Sequence, residues 1–191
     1  MAAAAITTCL SLVTVSGCSV GGGVRLEGTA SPLGLPSAGH SSTPAAADGR
    51  LTADEVATLV RQDPRMGFKS EVRRCPAGYG DKSHKYPMDF QYGNLTDTGR
   101  PDLLVEVGMC GGTIGLGVYV YEYKGGTYKN VFLEETPPIH GTIKDGILVI
   151  TRQVYTDSDA VCCPTGRSTT TFAWNGGWFS EVSHSRSGFD G

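Results

Sequence analysis

Gly117-Val118-Tyr119-Val120-Tyr121-Glu122-Tyr123-Lys124-Gly125-Gly126-Thr127-Tyr128-Lys129-Asn130-Val131-Phe132 is the stretch that decides the fold. β-Branched and aromatic residues crowd both flanks, and two glycines sit between them. Gly accepts the positive φ that a tight hairpin turn demands, so this reads as two antiparallel strands. The same grammar recurs at Lys144-Asp145-Gly146 and at Asn175-Gly176-Gly177. Candidate strands are Phe68–Arg73, Met88–Tyr92, Leu103–Val107, Gly117–Tyr123, Tyr128–Leu133, Ile139–Ile143, Ile147–Tyr155, Ser168–Trp174 and Trp178–Val182. Consecutive hairpins require antiparallel pairing, so the expected fold is mainly β, an antiparallel meander of about eight or nine strands. Tyr123-Lys124-Gly125-Gly126-Thr127-Tyr128 also aligns without gaps on Trp174-Asn175-Gly176-Gly177-Trp178-Phe179. That is either a duplicated unit or two hairpins that reached the same turn independently, and the second reading is the simpler.

One helix precedes the strands. Thr52 and Glu55 form a capping box, Leu51 and Val56 occupy the staple positions, and Pro64 stops the helix by Asp63. The spacing predicts a short structural helix from Ala53 to about Gln62.

The chain has 191 residues, 39% hydrophobic and 18% charged, with 27 Gly and a net charge of -3. That is room for one domain and a tail, and the acidic balance argues against a nucleic-acid partner. Residues 1–23 carry no charged side chain, and Ala2–Val15 is mildly apolar. Val15-Ser16-Gly17-Cys18 resembles a bacterial lipobox, although no Lys or Arg precedes it. The resemblance implies a signal peptide over 1–17 and a lipid on Cys18, whose thiol accepts it. Each buried CH₂ of such an anchor is worth roughly 0.8 kcal/mol. Between Ser19 and Arg50, 22 of 32 residues are Gly, Ser, Ala, Pro or Thr, and none is aromatic. Such a segment cannot bury enough surface to offset its ordering entropy. Residues 18–50 are therefore expected to be a disordered tether with a reach of roughly 30 Å. One antiparallel β domain is expected over 51–184, and a disordered tail over 185–191.

Cys75, Cys110, Cys162 and Cys163 lie beyond the signal segment. An exported chain meets an oxidising compartment, so all four are candidate disulfide formers. Three connectivities are open. Cys75–Cys110 is the favoured bridge, closing a loop of about 35 residues. Adjacent cysteines fit poorly with zinc or a C-x-x-C redox pair.

Asn94-Leu95-Thr96-Asp97-Thr98-Gly99-Arg100-Pro101-Asp102 resembles the Asp-rich calcium loops of FG-GAP-type β-repeats. The ligand positions of that pattern fall on Asn94, Thr96, Thr98 and Asp102 around Gly99. Only one carboxylate is in register, whereas calcium wants six to eight oxygens and several carboxylates. The loop is therefore expected to be a degenerate calcium-like turn held by Asp102. No metal and no cofactor is expected.

His40, His84, His140 and His184 sit in no catalytic motif, so no catalytic residue is assigned. A scattered hydrolase site would have to bring His84 or His140 to a carboxylate and a Ser or Cys. Gly111 to Gly117 leads into a strand, not a helix, and is expected to be a mobile or bulged strand entry. Tyr119, Tyr121 and Tyr123 share one strand face, either as a stacked sheet surface or as a platform for a partner or glycan. Glu134-Glu135 is expected to be a solvated loop.

Several longer stretches carry a wider likeness. They include Tyr92-Gly93-Asn94-Leu95-Thr96, Pro101-Asp102-Leu103-Leu104-Val105, Gly117-Val118-Tyr119-Val120-Tyr121, Tyr128-Lys129-Asn130-Val131-Phe132, Glu135-Thr136-Pro137-Pro138 and Gln153-Val154-Tyr155. On these, Leu51 to Glu181 resembles a family of actinobacterial envelope lipoproteins that includes CseA. Cys162-Cys163-Pro164-Thr165-Gly166 and Trp174-Asn175-Gly176-Gly177 also resemble a broader group of the LppP/LprE type. The CseA resemblance implies a non-enzymatic protein lipid-anchored to the outer face of the cell membrane. It implies negative modulation of an envelope-stress sigma-factor and sensor-kinase system. The partners implied are the membrane itself and an envelope sensor kinase or a cell-wall component. The alternative is a carrier or scaffold for an envelope ligand such as a glycan, which would show an apolar cavity of roughly 300 Å³ or more.

Overall fold

Ala53–Gln62 forms helix α1, and its N-terminus shows why. Glu55 N donates to the Thr52 hydroxyl at 3.4 Å while Thr52 N donates to the Glu55 carboxylate at 2.8 Å. These bonds satisfy two orphan donors and hold the Glu55 carboxyl below its usual range. Val56, Ala57 and Val60 form the buried stripe. The computed structural model describes residues 50–79, 85–112 and 114–189. The expected signal peptide, most of the tether and Cys18 lie outside these, as do Cys9, His40 and His84.

After the helix, Phe68–Ser70 is a turn of 3-10 helix, not the expected strand. The alternation of Phe68, Ser70 and Val72 mimics a strand. The backbone instead closes locally, with Glu71 N donating to Phe68 O and Val72 N to Lys69 O. Eight strands follow: β1 (Met88–Gly93), β2 (Asp102–Gly108), β3 (Gly115–Lys124), β4 (Thr127–Glu134), β5 (Ile139–Lys144), β6 (Ile147–Val154), β7 (Gly166–Trp174) and β8 (Phe179–Gly188). All pairing is antiparallel, in two four-stranded meanders ordered β1-β2-β3-β4 and β5-β6-β7-β8. β8 runs past Val182 and past the expected domain end at 184. Ser183 to Gly188 carries no apolar signal, yet it pairs in register with β7.

The register shows that the two meanders are copies in architecture. Tyr123 pairs with Tyr128 as Trp174 pairs with Phe179. In β4 the ladder skips Val131, between partners Asn130 and Phe132. In β8 it skips Val182, between Glu181 and Ser183. These two β-bulges fall at corresponding positions of the aligned hairpins. A shared turn can arise twice, but a shared turn, ladder and bulge favour the duplicated unit over independent hairpins.

The first sheet is a middle layer. Leu103, Val105, Val107, Tyr119 and Tyr121 point to α1 and pack with Val56, Val60 and Val72. Leu104, Val118 and Val120 point the other way and pack with Ile139, Leu148 and Ile150 of the second sheet. Burial on both faces explains why β2 and β3 read as continuous apolar runs. β5 lies directly on the first sheet. Gly141 N donates to the Glu106 carboxylate at 3.0 Å, and Ile143 N to the Gln91 side-chain oxygen at 3.2 Å. Glycines permit the approach: a methyl at Gly115 would overlap the Ile139 carbonyl, and one at Gly141 would strike Val118.

Gly115→Ala is therefore expected to cost about 2 kcal/mol or more, because the obstacle is backbone. Gly177→Ala, with open space around it, should stay within about 0.5 kcal/mol of the parent. Denaturant midpoints of the two variants test the difference.

Candidate functional site

Asp102 closes the calcium-like loop and is wholly buried. Its Oδ2 accepts the backbone N–H of Leu95 at 2.8 Å and of Thr96 at 2.7 Å, and its Oδ1 accepts the Thr96 hydroxyl at 2.8 Å. Thr98 Oγ1 lies 3.4 Å from Thr96 Oγ1, and Gly99 supplies a φ of 74°. Three donors thus converge on one carboxylate, where a calcium site would aim several oxygens at a cation. Asn94 opens this turn. Among the described residues, no group of three or more His, Cys, Asp or Glu could hold a metal ion.

Cys75 and Cys110 form a disulfide with Cα atoms 5.5 Å apart, tying the segment before β1 to the end of β2. Cys162 and Cys163, candidate disulfide formers whose connectivity the sequence leaves open, are exposed and unbridged in this structure. Cys75 and Cys110 are taken by each other, and Cys162 and Cys163 lie in the β6–β7 loop. Asp159 organises that loop: it accepts Thr156 N at 2.7 Å, Thr165 N at 3.0 Å and the Thr165 hydroxyl. These bonds, led by the Thr165 hydroxyl, lower its carboxyl to about 2. Cys163 N donates to Ala160 O, and the Cys162 side chain beside it pushes the Cys163 thiol up.

The tyrosine row is not an open platform. Tyr119 and Tyr121 lie under the helical segment, 0% and 1% exposed. Tyr119 donates to Glu135 Oε1 at 2.6 Å and Tyr121 to Asp63 Oδ2 at 3.1 Å. Burial raises both phenols well above the ordinary range. Glu134 and Glu135 are correspondingly not a solvated pair. Glu135 also accepts Gly67 N at 2.7 Å, and Glu134 pairs with Arg152 at 2.8 Å. Gly111 to Gly117 does enter a bulge: Val107 pairs with Gly117 and Gly108 with Gly115, leaving Leu116 extra.

The candidate site is a cleft of about 450 Å³ where the ends of β1, β2 and β5 meet the disulfide. Asp89, Glu106, His140, Met109 and Ile114 line it. Asp89 and Glu106 are direct partners across β1 and β2. His140 Nδ1 lies 2.7 Å from Glu106 Oε2, with the imidazole largely exposed and the carboxylate largely not. Burial raises the Glu106 carboxyl above its ordinary value; the Gly141 amide and His140 oppose that, and Asp89 adds to it. A second cleft of about 260 Å³, lined by Ile114, Pro137, Pro138, Tyr155, Asp159 and Val161, adjoins the first through Ile114. The larger one is charged, unlike the apolar cavity expected of a carrier. His140 thus finds a carboxylate, but the described lining offers it no Ser hydroxyl and only disulfide-bonded Cys. His184 lies elsewhere, against Thr170 at 2.9 Å. Sequence reasoning passed over Glu106. Its one signal was a charge inside the apolar run Leu103–Val107.

Raised above the ordinary 4.5, Glu106 keeps its proton in the folded state after the unfolded chain has lost it. Its contribution to stability is complete below that value and is lost as pH rises through the folded-state value. Glu106→Gln still accepts from Gly141 and is expected to flatten this slope. Unfolding midpoints from pH 4 to 7 check it, and parallel curves for parent and variant would count against it.

No protein-family model matches the chain, and no solved structure matches it. Two curated proteins do. Lipoprotein CseA of Streptomyces avermitilis is 36% identical over 174 residues, which cover 90% of this chain and 77% of that protein. Lipoprotein CseA of Streptomyces coelicolor is 36% identical over 176 residues, covering 88% of this chain and 76% of that protein. At that identity and coverage, the chain belongs to the CseA lipoprotein family.

Proposed function

We propose that the protein is an extracytoplasmic lipoprotein, anchored through Cys18, that acts by contact as a non-enzymatic negative modulator of envelope-stress signalling. Residues 1–17 are its signal peptide, 18–50 its tether and the rest its contact domain. The observation that carries the reading is an apolar surface at the cleft end of the domain. Tyr79, Met109, Ile114 and Val161 are 59%, 55%, 40% and 81% exposed there. Tyr79 lies against Gly111, Met109 against Gly112, and Ile114 and Val161 share the smaller cleft. Grouped exposed apolar side chains mark interaction surfaces. Membership in a family of lipoproteins supports the anchor. Confinement to one membrane face raises the effective concentration of domain and partner, so a modest surface suffices.

Cys18→Ala is expected to move the protein from the membrane to the soluble fraction; an unchanged distribution removes the anchor. Deleting the gene should raise the resting output of an envelope-stress reporter. The wild-type gene should restore it, and a Met109→Asp, Ile114→Asp variant, expressed and folded, should not. Full repression by that variant would remove the contact surface from the proposal.

A further inference from the structure

We propose that the cleft end receives a peptide segment of a partner protein in which a large apolar side chain is flanked by Lys or Arg. This rests on the contact reading above and adds the chemistry of what is contacted.

Both clefts are lined by Ile114, the larger reaching to Met109 and the smaller to Val161. The smaller cleft, of about 260 Å³ and lined by Ile114, Pro137, Pro138, Tyr155 and Val161 beside Asp159, is the apolar one and suits an inserted side chain. Asp89, Glu106 and Asp159 contribute three carboxylates, and among the described residues no Lys or Arg lines either cleft. The single imidazole, His140, is already turned onto Glu106. Asp89 and Glu106 face each other directly across the β1–β2 ladder, where like charges repel. A cationic side chain entering the cleft meets carboxylates there, and the low exposure of Glu106 strengthens the attraction.

Other occupants fit less well. A bilayer presents anionic head groups to these carboxylates, and membrane-surface binding uses convex faces rich in Lys and Arg. A second copy would bring the same patch, with the same three carboxylates, across a two-fold axis. A peptide with basic flanks satisfies cleft and charge together.

The test uses the full anchored chain in its own host, with a photoreactive residue at Met109, at Val161, or at Trp178. Trp178 is also exposed but lies at the β7–β8 turn. Adducts are expected from the first two positions and not from the third. The captured segment should hold an aliphatic or aromatic residue within about three positions of Lys or Arg. A synthetic peptide of that segment should bind the purified full chain. Changing its basic residues to Gln, or combining Asp89→Asn with Glu106→Gln in the protein, should weaken binding about tenfold. Raised salt should act in the same direction. A captured segment without Lys or Arg, a lipid adduct, a second copy of this chain, an equally tight Gln peptide, or no adduct would each overturn the inference. If the reporter still responds to the Met109→Asp, Ile114→Asp change in those cases, contact regulation stands and only the cationic partner falls. If the reporter does not respond, both fall.

Discussion

The second sheet is fastened to the first by side chains that reach its edge. β5 is the outer strand of its meander, and an outer strand presents unpaired N–H groups. Here Glu106 takes the Gly141 amide and Gln91 takes the Ile143 amide, both from the first sheet. Two otherwise orphaned donors are satisfied without extending the ladder. The arrangement needs close approach, and Gly115 and Gly141 provide it. It also needs a first sheet that is apolar on its second face, which Leu104, Val118 and Val120 supply. Without these contacts the second meander would have one greasy face and nothing to lay it on. The clamp therefore fixes the position of β5, and with it the position of His140 in the cleft.

Duplication explains where the two halves differ. The ladders of β3–β4 and β7–β8 correspond from Tyr123–Tyr128 and Trp174–Phe179, through the bulge, to Val118–Glu134 and Thr169–Ser185. The halves differ in the bulge between β2 and β3, in the longer β7–β8 ladder and in their connections. The first meander joins its opening strands through residues 94–101, organised by Asp102. The second does so with Asp145 and Gly146 alone, at φ 51° and 76°. Tight turns gather at that end of the domain. The opposite end collects the connections at 109–114, 135–138 and 155–165, and the exposed Met109, Ile114 and Val161 are on them. A rigid pair of meanders thus displays variable loops on one side, which is where binding surfaces are usually built.

Local chemistry made much of this legible beforehand. Helix α1 was readable because Thr52, Glu55 and Pro64 act within a few residues of one another. The hairpins were readable because Gly at positive φ is a local demand. Tertiary pairing was not readable in the same way. β8 runs through Ser183-His184-Ser185-Arg186-Ser187, which has no apolar face, and exists because β7 offers a ladder. Phe68 to Val72 has strand-like alternation but no partner strand, so it coils. The tyrosine row was visible as a face, while the helix that covers it belongs to a distant segment. Asp102 could be singled out within its loop. The pairing of Glu106 with His140 could not, because it joins strands from different sheets.

Two carboxylates withdrawn from solvent separate structure from function in this domain. Asp102 is fully enclosed, and three donors from its own loop engage it. A charge so surrounded is a folding element, because a ligand could reach it only by taking the loop apart. Glu106 has a single backbone donor and an imidazole, keeps 17% of its side chain exposed, and faces Asp89 across the ladder. Burial, and to a lesser degree the facing Asp89, raise its carboxyl above the ordinary value, while the Gly141 amide and His140 oppose them. Glu106 lines a cleft edged by exposed Met109 and Ile114. The residue that accepts the Gly141 amide of β5 is therefore also one that lines the cleft.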